Sequence, residues 1–186
     1  MKVKLILMLL TINSFVTNGQ IDLEFNIVTS LNENGNVVAE QIIEIDSFSK
    51  EKIYNSTLNW VASTFANTES VMQSKIENKM VRINGISKGA LGPYYGFYYG
   101  LGYTIQIDIK DNKIRFNAYN LTQVASSSPF TKTGVEAFYK KGKLRKSKTV
   151  KNFNQQMNEE ITIIALSLKT YIVNGETNVI NNDENW

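Results

Sequence analysis

The sequence predicts an α+β fold: one antiparallel sheet with the order strand, helix, four strands, helix, and both helices on one sheet face. Three observations predict it. The segment Tyr103–Leu121 folds about Asp111-Asn112 into a hairpin whose cross-strand pairs check one another. Two segments, around residues 50–66 and 150–171, repeat apolar residues at intervals of three and four, the spacing of an amphipathic helix. The remaining ordered segments are short runs of period two joined by turn residues, with no regular alternation of strand and helix that would make the sheet parallel.

Taken in order, residues 1–19 read as a signal peptide. Lys2 and Lys4 form a charged start, Leu5–Leu10 an apolar run, and Thr17-Asn18-Gly19 a small and polar stretch before Gln20. A membrane span needs about 20 apolar residues, and this run is shorter and interrupted by Asn13. No cysteine follows it, so a lipoprotein anchor is excluded. The chain is therefore expected to be exported, periplasmic or secreted, with residues 20–175 as a single domain and 176–186 as a polar tail. Val37–Asp46 alternates as a strand. Ser49 then offers a hydroxyl to the free N–H groups of a first helical turn. Phe48 and Ile53 hold the staple positions, and Tyr54, Leu58, Val61 and Phe65 form a stripe beside Trp60. The helix is expected to end near Ala66-Asn67.

Val71–Ile76 and Lys79–Ile86 read as strands about a two-residue turn, Glu77-Asn78. In the second hairpin Ile109 meets Ile114, Ile107 meets Phe116 and Ile105 meets Ala118 on one face, while Asp108 meets Arg115 on the other. A slip of one residue would undo every pair. Beyond a polar stretch at Ser126–Thr133 and a basic segment, Val150, Phe153, Met157, Ile161, Ile164, Leu168 and Tyr171 predict a long helix, stopped by Asn174-Gly175. Leu58, Trp60, Val61, Ile107, Phe116, Ile161 and Ile164 are the expected core.

The SKEKIYNSTLNWVA helix and the IQIDIKDNKIRFNAYN hairpin carry a resemblance. From about Gln41 to Leu121, within a core of 37–121, the chain resembles a family of exported bacterial domains of unknown function with a TATA-binding-protein-like (TBP-like) fold. The turn Lys110-Asp111-Asn112-Lys113, followed by Arg115 and Phe116, is its most typical feature, with a glycine often in the place of Asn112. The resemblance implies a fold and no chemistry, because the family has no established catalytic or binding residues to carry over.

The chain contains neither cysteine nor histidine. That removes the thiol nucleophile, the usual proton shuttle at neutral pH and the commonest zinc ligands, and it leaves stability to the packed core without disulfides. No cofactor is expected. The whole chain carries 20 basic and 17 acidic residues; without residues 1–19 the balance is 18 to 17, so its basicity is partly that of the signal. Nucleic acid is not an expected partner, since the open sheet face would mix Glu40, Glu44, Asp46 and Asp108 with Arg82, Lys110, Lys113 and Arg115. Carboxylates are the only acid/base material left, with Glu40, Glu44 and Asp46 on one strand face and Glu159-Glu160 adjacent on a helix. They read as surface charge rather than as a converging pair.

Two features remain. Gly85–Tyr103 concentrates six glycines with Tyr94, Tyr95, Phe97, Tyr98, Tyr99 and Tyr103. It reads either as a recognition loop for a glycan, peptide or protein, or as a hairpin tip whose rings pack on the sheet. Lys140, Lys141, Lys143, Arg145 and Lys146, continued by Lys148 and Lys151, form a basic patch. It suits acidic lipid headgroups, lipopolysaccharide phosphates or nucleic acid, or simply a solvated face. The expectation is a non-catalytic binding or interaction module with an envelope protein, glycan or lipid headgroup as partner; the alternative is a carboxylate-dependent envelope hydrolase.

Overall fold

The structure is a computed structural model that describes residues 25–94, 96–125 and 128–175, with side chains at all of these except 94 and 128–133. Residues 1–19, expected to be a signal peptide, and likewise Tyr95 and residues 176–186, expected to be a polar tail, lie outside the described residues.

Seven strands form one sheet: β1 (Ser30–Leu31), β2 (Val37–Glu44), β3 (Met72–Ile76), β4 (Met80–Tyr94), β5 (Phe97–Lys110), β6 (Lys113–Ala125) and β7 (Ser128–Gly134), with the path β1-β2-β6-β5-β4-β3. Helix α1 (Lys50–Thr64) carries the chain from β2 across to the far edge, where the short α2 (Thr68–Val71) leads into β3. The meander β3-β4-β5-β6 then returns, so that β6 ends beside β2. β5 lines one side of β6 throughout. On the other side β2 pairs with 113–118 and β7 with 122–125. Asn120, at φ 52°, marks the bulge where that edge changes hands.

The second hairpin has the expected register: Ile109–Ile114, Ile107–Phe116, Ile105–Ala118 and Asp108–Arg115 are all partners. Its turn also closes the fold. Asp111 Oδ1 accepts from Lys50 N at 2.8 Å, Asn112 N donates to Phe48 O at 2.9 Å, and Ile45 N donates to Asn112 O at 2.8 Å. A carboxylate 61 residues away thus joins Ser49, whose hydroxyl accepts from Lys52 N, in satisfying the first turn of α1. The first hairpin differs from expectation: Ile76 pairs with Met80, so the turn is three residues, Glu77 to Lys79, with Asn78 at φ 54°.

One core lies between the sheet and helices α1 and α3 (Lys148–Asn174). Val81, Ile83, Ile105, Ile107, Phe116 and Ala118 are fully buried on the sheet side, and Trp60, Val61, Met157, Ile161 and Leu168 on the helix side. Ile164 is buried as expected. Leu58 is only half-buried, as is Phe65, because α1 is rotated to centre on Ile53, Thr57 and Trp60. Thr57 is tolerated there because its hydroxyl donates to Ile53 O. Trp60 Nε1 donates to Ser167 Oγ at 3.1 Å and ties the helices together. On α3 a polar stripe holds the N-terminal segment: Ile27 N donates to Thr162 Oγ1, and Thr29 N and Oγ1 donate to Asn158 Oδ1. No described helix is long and apolar enough to cross a membrane.

Candidate binding surfaces

Gly85–Tyr103 is not a loop. β4 and β5 run on past Ile83, the last β4 residue paired with β3, as an arm that β6 flanks as far as the Tyr99–Ala125 pair, and Tyr94 pairs with Phe97 at the tip. Gly89, Gly92 and Gly96 hold positive φ, and Gly85, Gly100 and Gly102 make room for a neighbour. A Cβ on Gly85 would strike the Tyr103 ring, standing 2.6 Å from both Cζ and Oη. A Cβ on Gly102 would stand 2.5 Å from Thr122 Oγ1, and one on Gly100 3.1 Å from Ile86 Cγ2. Strand glycines that accept a neighbour's side chain compensate for their own missing packing. Tyr103 is buried on the helix side. Burial pushes its phenol above the ordinary value, Glu160 on α3 adds to the rise, and a hydrogen bond with the Ser87 side chain opposes it.

The arm is anchored on α3. Gln156 Nε2 donates to Gly92 O at 2.6 Å while its Oε1 accepts from Gly92 N at 2.9 Å, so one amide grips both polar groups of a single residue. Leu91 is fully buried, and Tyr99 meets Phe153 edge-on with centroids 6.0 Å apart. Of the expected recognition residues, Tyr99 is therefore part of the anchor. Phe97 and Tyr98 lie at the tip, 65% and 53% exposed. The side chain of Tyr94 and the whole of Tyr95 are outside the described residues. Sequence reading missed Gln156, because nothing local distinguishes it from any polar residue of α3.

The sheet face away from the helices carries a hydrogen-bonded row. Arg82 Nη2 donates to Gln106 Oε1 at 2.6 Å, Gln106 Nε2 donates to Asp108 Oδ1 at 2.8 Å, and Arg115 Nη2 donates to Asp108 Oδ2 at 2.6 Å. Asp108 holds the Arg115 guanidinium still more firmly protonated than usual. Glu44 reaches Lys113 at 4.0 Å. The carboxylates of β2 are exposed, and among the described residues no group of three acidic side chains converges as a metal site would require. Glu159 accepts from Gln155 on the α3 surface.

The basic segment also has structure that the sequence did not announce. A 3-10 turn (Val135–Phe138) leads into a small hairpin of β8 (Tyr139–Lys140) and β9 (Lys143–Leu144), turned by Lys141 at φ 51° and Gly142 at φ 73°. Phe138 is buried against Phe153, Arg145 N donates to Phe138 O at 2.8 Å, and Tyr139 Oη donates to Asn154 Oδ1 at 3.2 Å. Lys140, Lys141, Lys143, Arg145 and Lys146 are all exposed.

Residues 40–123 match the model of the family described as "Domain of unknown function (DUF4468) with TBP-like fold". Two crystal structures share the architecture. One is a DUF4468 family protein from Bacteroides ovatus ATCC 8483, with TM-score 0.63 and 15% identity over 77% of this chain and 90% of that one. The other is a TBP-like protein from Parabacteroides distasonis ATCC 8503, with TM-score 0.57 and 15% identity over 79% and 96%. No curated protein matches the chain. The resemblance carried by the SKEKIYNSTLNWVA helix and the KDNKIRF turn is thereby shown: residues 40–123 match the DUF4468 family model, and the chain shares the TBP-like fold.

Proposed function

We propose that the protein is a non-catalytic binding module, exported from the cytoplasm, that meets a protein partner at the tip of the β4–β5 arm. One observation carries the reading: the arm presents exposed Phe97 and Tyr98 at the end of a base held by the Gln156–Gly92 clasp and the Tyr99–Phe153 contact. Aromatic rings on a fixed pedestal supply contact area with little ordering cost, which is what anchor residues of interfaces require. The carboxylates support the non-catalytic reading, since those of β2 are exposed and Asp108 is occupied by Arg115 and Gln106. Export is supported by Lys2, Lys4 and Leu5–Leu10, and intact Met1 on the protein recovered from its native cell would overturn it.

The test of the binding reading compares the native protein with the Phe97→Ala/Tyr98→Ala variant as bait in an envelope extract of the native cell. A partner captured by the native protein and lost with the variant, at unchanged melting temperature, is the expected result. The same captured set with both baits, or a variant that loses stability along with binding, would show that these rings serve the fold.

A further inference from the structure

We propose that the β8–β9 hairpin and the first turn of α3 form a contact surface for a bilayer carrying anionic lipid headgroups. This surface is separate from the arm, and its use does not depend on what the arm binds.

Charge is concentrated there. Residues 134–158 hold seven cations, Lys140, Lys141, Lys143, Arg145, Lys146, Lys148 and Lys151, against one carboxylate, Glu136. The rest of the chain then has 13 cations against 16 carboxylates, so the chain's net +3 is a local +6 set against −3 elsewhere. All seven cations are exposed, and among the described residues none is in an ion pair.

The local structure tolerates two electrostatic conflicts to keep them in place. Lys140 and Lys143 face each other directly across the hairpin, a like-charge pair that disfavours it. Lys148 and Lys151 stand at the positive end of the α3 dipole, where the first turn has no acidic residue and Ser147 makes no side-chain capping bond. Both conflicts are relieved by negative charge brought from outside. Local rules broken without an internal compensation mark positions kept for use.

The hairpin is nevertheless held rigidly, by Phe138 on Phe153 and by Tyr139 on Asn154, so its cations stay clustered. A bilayer fits this surface better than nucleic acid does. The aromatic side chains of the segment, Phe138, Tyr139 and Phe153, are buried or half-buried and occupied in holding the hairpin, so none is offered for stacking on a base. Adsorption to a charged membrane needs only clustered exposed cations.

The test is co-sedimentation of the full chain with vesicles of phosphatidylcholine alone and with phosphatidylglycerol mixed in. Binding at least about tenfold tighter to the anionic vesicles, weakening as salt rises, is the expected result. Lys140→Glu/Lys143→Glu/Lys151→Glu should lower that affinity roughly a hundredfold, while its melting temperature is unchanged or raised. The N-terminal run with Lys2 and Lys4 is common to native protein and variant, so the difference between those two reports the hairpin. Equal binding to both vesicle types, or a variant that binds like the native protein, overturns the proposal. So does displacement by millimolar glycerol phosphate, which would mark a site for single phosphates, and so does tighter binding to a DNA duplex under the same salt.

Discussion

Replacing Gly85 by alanine tests whether the glycine and tyrosine arm is built for packing. Gly85 and Tyr103 are direct cross-strand partners, and a Cβ at 85 would overlap the ring, with Cζ and Oη both 2.6 Å away. The ring has nowhere to go, because Tyr103 is only 6% exposed and faces α3. Backbone geometry is no obstacle, since Gly85 is not among the residues with positive φ. Two effects compete. Alanine in a strand interior gains about 0.5–1 kcal/mol over glycine, while forcing an extra methyl into a filled site costs about 1–3 kcal/mol. Overlap with a ring wedged beneath a helix puts the cost at the upper end, for a net loss of about 1–2 kcal/mol. At this chain length that lowers the melting temperature by several degrees, about 2–4 °C per kcal/mol. In a Tyr103→Leu background the ring is gone and the same Gly85→Ala change should stabilise by about 0.5–1 kcal/mol. The sign reversal, read from denaturant melts of the four proteins, is a coupling of about 1.5–3 kcal/mol. A Gly85→Ala effect of the same sign and size in both backgrounds would refute the packing account.

Phe116 is fully buried with its partners Gln41 and Ile107 fixed in neighbouring strands, so Phe116→Ala should cost about 3–5 kcal/mol in urea melts, and a loss under about 1 kcal/mol would remove it from the core. Asp111→Ala removes an acceptor from the first turn of α1 and should cost about 1 kcal/mol by the same measurement, an amount that Asp111→Asn largely restores. Tyr103 holds its proton more tightly in the folded state than in the unfolded chain. Its contribution is therefore complete below about pH 10 and lost as pH rises through the raised folded value. Native stability should fall more steeply above about pH 10 than that of Tyr103→Phe, and parallel declines would show that the phenol is not held neutral by the fold.

What was legible in the sequence depended on whether the determining contacts were local. Tyr103–Leu121 could be read because both strands, their turn and their pairs lie within twenty residues and each pair constrains the next. α3 could be read because its apolar spacing repeats over seven positions. The clasp of Gln156 on Gly92 spans 64 residues, and the bonds from Ile27 and Thr29 to α3 span 125 to 135, so no local pattern announces them. Glycine is depleted in strands, which left both a loop and a hairpin tip open for Gly85–Tyr103; only the paired strand shows that Gly85 and Gly102 accept a neighbour's side chain. The polar stretch Ser126–Thr133 hid β7 for a related reason. The free edge it occupies exists only because Asn120 turns the β6 backbone away from β2. The basic hairpin was visible as charge but not as structure, since its strands are two residues each and depend on Phe138 and Tyr139 docking against α3.

Charge placement differs between the sheet face and the basic hairpin. On the sheet face, within residues 40–123, Arg82 is satisfied by Gln106, Arg115 by Asp108, and Gln106 and Asp108 bond one another. A phosphate arriving there would have to displace bonds already made, beside the exposed carboxylates of Glu40 and Glu44. On the hairpin the balance is the opposite: among the described residues the cations make no ion pair, and Lys140 and Lys143 repel one another across the strands. The hairpin also lies outside the matched family segment. Likeness to crystal structures at 15% identity accounts for the sheet and helices, not for a surface held in place against its own electrostatics. The fold explains why Asp108 and Arg115 are where they are; the proposed bilayer would offset the Lys140–Lys143 pair as Glu44, 4.0 Å from Lys113, offsets the Lys110–Lys113 pair.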